Sequence, residues 1–345
     1  MAAVLAAASP GFRAELPSLA RPVALAELAA LMACSGLLSA SGALSWLADR
    51  AAAARGDPRL GLVLASLLLG LAASLVTNDA AVFVAVPVAA EMAERSGLPR
   101  WLAVGAATVG VNVGSSLLPL GNPQNLLIWH DYGVPLAVFA LRMVPLVAAG
   151  LALDAAAVLL LARRQPAVRG VAAPRVAVDR RRALAGAAGL AAVASASALG
   201  APLAGSLMAL LLAALAWPRS LLAVDPWVLS TLALMFADFS YLGSLLAPRL
   251  PGWVLETPLG TYLAALALSQ LVSNVPAAAA LSLRTPHWEA LAYGANVGGV
   301  VLFTGSLANM VALRLSGLRP RELHRFQLRV AAVLAPLAAL LLAAR

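Results

Sequence analysis

The chain has no lysine, a single cysteine and little charge of either sign. Only 11% of its 345 residues are charged, against about 25% in an ordinary soluble domain, so there is too little charge to coat a soluble globule of this size. Cys34 alone excludes an intramolecular disulfide and a cysteine-rich metal site; inside an apolar run it reads as a small buried hydrophobe. No histidine–carboxylate cluster has metal-ligand spacing, and no Walker or Rossmann glycine pattern opens a helix. ATP-driven pumping and redox enzymology lose their support, and with no nucleophile–base set in view the chain is read as a non-enzyme without a cofactor. All 24 basic residues are arginine, as in a GC-rich coding sequence. The net charge of +9 does not signal nucleic acid, because the arginines form no single face; they stand at the ends of apolar runs, where the positive-inside rule puts them. A charged, apolar and small-residue order typical of a signal peptide is also missing at the N-terminus, so no cleavage is expected.

What the chain has is oil. Hydrophobic residues make up 62% of it, with a mean hydropathy of +0.90, in runs of roughly the 20 residues needed to cross hydrocarbon. That predicts an all-α, multi-pass integral membrane protein, placed in a bacterial cytoplasmic (inner) membrane and in contact with lipid. After an N-terminal segment (1–22), one long polar connection, 162–182, separates a first half (23–161) from a second (183–345). Its seven arginines, from Arg163 to Arg182, mark it as cytoplasmic. Counting outward from it, Arg50, Arg55, Arg59, Arg95 and Arg100 put both ends of a re-entrant hairpin at about 59–95 inside. A second hairpin, about 257–284, opens outward, and Arg314 to Arg329 return the chain inside. Hairpins entering from opposite faces constitute an inverted-topology repeat.

The motifs repeat as well. Val76-Thr77-Asn78-Asp79-Ala80 is echoed by Val272-Ser273-Asn274-Val275-Pro276. Setting Gly110–Asn125 on Gly294–Asn309 without gaps pairs Gly110/Gly294, Asn112/Asn296, Val113/Val297, Gly114/Gly298, Leu118/Leu302, Gly121/Gly305 and Asn125/Asn309, seven identities in sixteen positions. Polar, helix-breaking sequence at membrane depth is tolerated where it lines a protected cavity. The predicted fold therefore has two re-entrant hairpins and two broken transmembrane helices.

The breaks carry the candidate chemistry. Helix N-termini offer free N–H donors and partial positive charge to an anion, whereas unwound carbonyls and side-chain amides suit a cation such as Na⁺. Thr77 and Ser273 are hydroxyl N-cap types, and Asn78 and Asn274 offer donor and acceptor at each tip. Pro123 and Pro276 stop helical continuation, and Gly121 and Gly305 permit turns. Asn122, Gln124, Asn125, Thr304, Ser306 and Asn309 complete a polar, mostly uncharged ring, with Val275 at the second tip. Gly110, Gly114, Gly294 and Gly298 read as helix-packing residues, and Asn112 and Asn296 as interhelical bonds or support for the ring. Asp79, at one tip only, is the leading intramembrane acid, with Na⁺ possible at Asn78, Asp79 and Asn125. Asp154 and Asp238 are possible proton relays or interhelical hydrogen-bond partners. Glu27 and His130, near segment ends, read as interfacial.

At Thr77-Asn78-Asp79, Gly121-Asn122-Pro123-Gln124-Asn125-Leu126, Ser269-Gln270-Leu271-Val272-Ser273-Asn274-Val275-Pro276 and Gly305-Ser306-Leu307-Ala308-Asn309 the chain resembles the ion transporter superfamily. That group includes arsenite permeases, citrate and dicarboxylate transporters and one class of sodium–proton antiporters; the wording here is similar to the arsenite and anion permease branch. The resemblance covers roughly residues 23–340. It implies a central substrate site between hairpin tips and broken helices, secondary transport, and usually a homodimer. The expectation is a secondary active transporter for a small anion or arsenite, coupled to protons or Na⁺; a sodium–proton antiporter and a non-transporting membrane scaffold are the alternatives.

Overall fold

The computed structural model describes residues 16, 19–20, 22–43, 46, 57–75, 77–163, 177–246, 251–282 and 284–344. The side chains of residues 79–80, 198, 235, 239–240, 242–246 and 252–253 lie outside that description. Most of the N-terminal segment and of the arginine-rich connection falls outside it too. Among the described residues every regular element is helical, as the composition predicts.

The first half contains α1 (Pro22–Ala40), α2 (Pro58–Ala72), α3 (Asn78–Ser96), α4 (Arg100–Gly114), α5 (Pro123–Tyr132) and α6 (Leu136–Ala162). The second contains α7 (Arg180–Ala198), α8 (Pro202–Ala216), α9 (Pro226–Leu246), the short α10 (Gly252–Glu256), α11 (Pro258–Val272), α12 (Asn274–Leu281), α13 (Trp288–Val301), α14 (Leu307–Ser316) and α15 (Pro320–Ala343). Pro22–Ala40, Leu136–Ala162, Pro218–Asp238 and Pro320–Ala343 are long and apolar enough to cross a membrane. By contrast α2 and α11 have 15 residues each, about 22 Å at 1.5 Å per residue, and α12 has 8. These are too short for a hydrocarbon core of about 30 Å. They behave as hairpin arms, α2 turning into α3 at Thr77 and α11 into α12 at Ser273.

Both broken helices break for visible reasons. Between α4 and α5 the chain makes 3-10 turns at Ser115–Leu117 and Pro119–Gly121. Pro119 and Pro123 cannot donate to a helical ladder, and a Cβ on Gly121 would lie 2.0 Å from the Ser115 carbonyl oxygen. Between α13 and α14 a single 3-10 turn, Phe303–Gly305, does the same work. The offset of 184 that aligns the residues also aligns the elements. It carries Pro119–Gly121 onto Phe303–Gly305, α5 onto α14, and left-handed Gly133 (φ +58°) onto left-handed Gly317 (φ +67°).

Equivalent pairs pack alike: α2 lies on α4 as α11 lies on α13, and α6 and α15 pack against both broken helices and each other. Each second half-helix crosses to the other half of the chain, α14 meeting α3 and α5 meeting α12. The first-half contact is close because glycine faces glycine: a Cβ on Gly114 would come 2.1 Å from the Gly70 carbonyl oxygen. In the second half a Cβ on Gly294 would come 2.4 Å from the Tyr262 carbonyl. A second group forms where α1, α7 and α8 pack together with the 3-10 turn Pro218–Ala223. Leu141, Leu160, Leu215 and Leu340 are exposed on the outer faces, as lipid-facing side chains should be.

Candidate functional site

The hairpin tips and helix breaks converge on one cavity of about 400 Å³. Asn78 and Ser273–Val275 come from the two tips, Pro123 and Gln124 from the first break, and Ser306 and Leu307 from the second. α9 closes it with Trp227, Val228, Thr231 and Leu232, and α14 adds Met310. Among the described side chains lining it, none is charged. The N-termini of α3, α5, α12 and α14 all end here. Their first N–H groups have no intrahelical partner, and they carry the positive end of each helix dipole. α5 is capped: Asn122 Oδ1 accepts from the Asn125 backbone N–H at 2.9 Å. α12 and α14 have no side-chain cap, so their leading N–H groups stay available to a ligand.

Behind the cavity lies a ring of asparagines that ties the two halves together reciprocally. Asn112 Nδ2 on α4 donates to Asn309 Oδ1 on α14 at 2.8 Å, and Asn296 Nδ2 on α13 donates to Asn125 Oδ1 on α5 at 2.6 Å. Each anchor also donates one turn back along its own helix, Asn112 to the Thr108 carbonyl and Asn296 to that of Ala292. The carbonyl oxygens are matched as well: Asn122 Nδ2 donates to Asn296 Oδ1 at 3.1 Å, and Ser306 Oγ donates to Asn112 Oδ1 at 3.2 Å. All six side chains are buried. Asn112 and Asn296, read from sequence as interhelical bonds or support for the ring, make the bonds between helices that hold it together.

The sequence candidates therefore divide by what they touch. Asn78, Pro123, Gln124, Ser273, Asn274, Val275 and Ser306 line the cavity. Gln124 Nε2 donates to Asn296 Oδ1 at 3.2 Å, while its buried Oε1 has no hydrogen-bond partner. Thr77 lines an adjoining cavity of about 550 Å³, and its backbone N–H reaches Ser35 Oγ at 3.4 Å. Asn122, Asn125 and Asn309 bond within the ring behind the cavity, where the Asn125 oxygen accepts from Asn296. Gly121 and Gly305 let the breaks fold back, a Cβ on Gly305 falling 2.3 Å from the Gly298 carbonyl. Thr304 Oγ1 donates to the Gln270 carbonyl at 3.0 Å, and Pro276 is buried in the first turn of α12. Ser273 holds φ +76° with ψ 160°, a region that glycine alone adopts without strain. Asp79 opens α3, but its side chain lies outside the described residues.

Asp154 and Asp238 are not at the cavity. Asp154 is buried on α6, its Oδ2 2.6 Å from Ser66 Oγ on α2. Asp238 is buried on α9, about two turns beyond Thr231. Gln270 was quoted in the motif without a role. It pins the second hairpin to the break: Nε2 donates to the Gly298 carbonyl at 2.9 Å and Oε1 accepts from the Leu302 N–H at 3.2 Å. Glu27, read from sequence as interfacial, is covered by protein: its side chain has no exposure and pairs with His130 and Ser197. An acid one turn from a helix start looks interfacial in one dimension; here α5 and α7 cover it.

Comparison with known proteins agrees with the architecture. A family profile described as citrate transporter matches residues 22–287. Inner membrane protein YbiR of Escherichia coli (strain K12) is 34% identical over 279 residues, which cover 77% of this chain and 71% of that protein. The protein named Uncharacterized transporter MJ0456, of Methanocaldococcus jannaschii, is 28% identical over 252 residues, 70% of this chain and 67% of its own length. Silicon efflux transporter LSI3 of Oryza sativa subsp. japonica is 34% identical over 84 residues, 24% of this chain and 17% of that protein.

Proposed function

The chain belongs to the citrate transporter family of multi-pass membrane transporters, and from that premise we propose that its central cavity binds and carries a small oxyanion or oxyacid. Arsenite is the type substrate of this proposal, with the flux coupled to a proton or Na⁺ gradient across a bacterial inner membrane. The observation that carries it is the meeting of helix N-termini on a cavity with no charged side chain among those described.

Magnitudes favour small, weakly charged cargo over citrate. Each helix N-terminus stabilises an anion by about 0.3–1 kcal/mol, up to about 2 when partly buried. Taking an ion out of water costs several kcal/mol, so a trianion would need arginine or lysine that the lining does not supply. An oxyacid with one charge or none has a smaller desolvation penalty, and its hydroxyls match Asn78, Gln124, Asn274 and Ser306 as donors and acceptors. The unpartnered Gln124 Oε1 is an acceptor waiting for such a hydroxyl. The relative named for silicon efflux supports the same class, since silicic acid is a small neutral oxyacid. In this reading the two hairpins and two broken helices form inverted repeats within 23–161 and 183–345, and the carrier works as a homodimer.

Flux into proteoliposomes tests the proposal. Arsenite and silicic acid should enter faster than citrate or succinate, and imposing a pH or Na⁺ gradient should drive accumulation. Citrate uptake that outruns both oxyacids overturns the substrate assignment, and uncoupled leakage overturns secondary transport.

A further inference from the structure

A second ionisable cluster lies outside the substrate cavity. Glu27 on α1 is wholly buried; one carboxylate oxygen meets His130 Nε2 on α5, and the other accepts the hydroxyl hydrogen of Ser197 on α7. An acid inside a membrane protein is functional by default, and a buried pair is weak evidence for stability alone. His130 keeps about a quarter of its side chain exposed, at 27%. It opens, with Ser197, onto a cavity of about 290 Å³ walled by Trp129, Gly133 and Val134. The pair therefore combines a buried carboxylate with a histidine that can exchange protons with solvent.

Its position connects two groups of helices. α1 and α7 belong with α8, whereas α5 packs on α12 and α13 and begins at the substrate cavity. From Pro123 to His130, α5 is one rigid element about 11 Å long, with Gln124 at one end and the pair at the other. The cavity of about 550 Å³ separates the same two groups, with Leu28, Met32 and Gly36 of α1 on one wall and Thr77, Phe83 and Val311 on the other. The Glu27–His130 contact is the ionisable one among those that join the two groups, beside the Thr77 N–H bond to Ser35 Oγ and the packing of α1 on α3 and α9. Among the described residues other charges do not face the pair. On α5 Asp131 is engaged by Ser282. α7 has its arginines at its opposite end, and α8 has no charged residue. Arg219 and Asp225 flank the turn at Ala223, which meets α1 at Gly36, while Asp238 sits farther along α9, and near the end of α3 Glu91 pairs with Arg95 and Glu94 with Arg100.

We propose that Glu27 and His130 form a proton-binding site, separate from the substrate cavity, whose proton occupancy sets whether α5 is tied to α1 and α7. With a single proton shared as imidazolium and carboxylate, the groups attract. Adding a proton neutralises the acid, and removing one neutralises the base; either change weakens the tie. The tie rests on the cavity reading only for its effect on flux, so the test also uses a readout independent of substrate.

The full chain, with Cys34→Ala, receives Phe83→Cys in the wall of the large cavity and is reconstituted into liposomes. Because the thiolate is the nucleophile, its labelling rate by a maleimide is taken relative to that of a small-molecule thiol at the same pH. This relative rate is followed between about pH 5 and 8, the range in which histidine titrates. It should change across a pH step by about fivefold or more, the low end of coupling between linked sites. The step should vanish in both Glu27→Gln and His130→Gln, and arsenite flux should lose its pH dependence with it. A pH-independent relative rate overturns the proposal, as does a step that survives in either variant. A step that behaves as expected without any substrate flux leaves the proton site standing and overturns the transport reading of the central cavity. If Glu27→Gln does not fold, His130→Gln alone decides.

Discussion

Replacing Asn296 with alanine tests the asparagine ring most directly. Its Oδ1 accepts from Ser116 Oγ at 2.8 Å, Asn122 Nδ2 at 3.1 Å and Gln124 Nε2 at 3.2 Å, while its Nδ2 donates to Asn125 Oδ1 at 2.6 Å and the Ala292 carbonyl. The partners fare differently after truncation. Ser116 still donates to the Asn112 carbonyl, Asn122 still reaches Ser115 Oγ, and Gln124 faces the cavity, where water can replace the lost bond. Asn125 Oδ1 has no such refuge, because Asn125 is fully buried. An orphaned buried carbonyl costs about 1–3 kcal/mol, and each interhelical bond lost by a group that keeps another partner about 0.6 kcal/mol in a membrane protein. Asn296→Ala should thus destabilise by about 3–4 kcal/mol, and by the scaling for large domains lower the melting temperature of the detergent-solubilised protein by about 10 °C. Because the orphaned Asn125 oxygen is the largest single loss, and it disappears with Asn125 itself, adding Asn125→Ala should cost little more. The double-mutant cycle should show a coupling of about 1–3 kcal/mol. Additivity to within about 0.5 kcal/mol, the behaviour of independent sites, would refute the ring as the element that joins the two halves.

The remaining expectations are briefer. Gly121→Ala should abolish transport and lower the melting temperature, since its Cβ would meet the Ser115 backbone at 2.0 Å; Gly133→Ala, with nothing within 4 Å, should cost only the left-handed strain of about 1 kcal/mol and leave flux unchanged. Equal effects in the two variants would show that the close approach is irrelevant. Ser273→Gly should raise thermal stability by about 1 kcal/mol or more by relieving φ +76° at the second hairpin tip, and a lower melting temperature would mean that the hydroxyl outweighs the strain. Asp154→Asn should fold and transport as the parent does. Ser66 Oγ donates to Asp154 Oδ2 at 2.6 Å, and a side-chain amide oxygen accepts such a bond equally well. Loss of coupled flux in Asp154→Asn would make Asp154 a relay instead of a clamp between α2 and α6.

How much was legible follows from which features are local. The breaks were, because Pro119, Gly121, Pro123 and Gly305 act on their own backbone, and the offset of 184 is a property of the sequence. Short arms were legible from the polar tips that end them. The reciprocal asparagine bonds were not: Asn112 and Asn309 stand 197 residues apart, and nothing local says that α4 and α14 cross. The partners of Glu27 were hidden for the same reason, since α5 and α7, which cover it, arrive from residues 103 and 170 positions away. The left-handed Ser273 was hidden by its residue type, because serine at such a φ is chosen by the surrounding fold and not by its own preference.

The matching of the two halves at an offset of 184 does not make the site symmetric. Asn122 and Ser306 occupy equivalent positions, yet only Asn122 caps the helix that follows it; Ser306 spends its hydroxyl on Asn112. The second-half helices α12 and α14 thus present uncapped N–H groups, whereas α5 presents a closed end beside the amide of Gln124. In the proposed reading the acceptor oxygens of an oxyacid belong against α12 and α14, and its hydroxyls toward Gln124 and Asn78. The sequence asymmetry runs the same way, with an acid, Asp79, at the first tip and Val275 at the second.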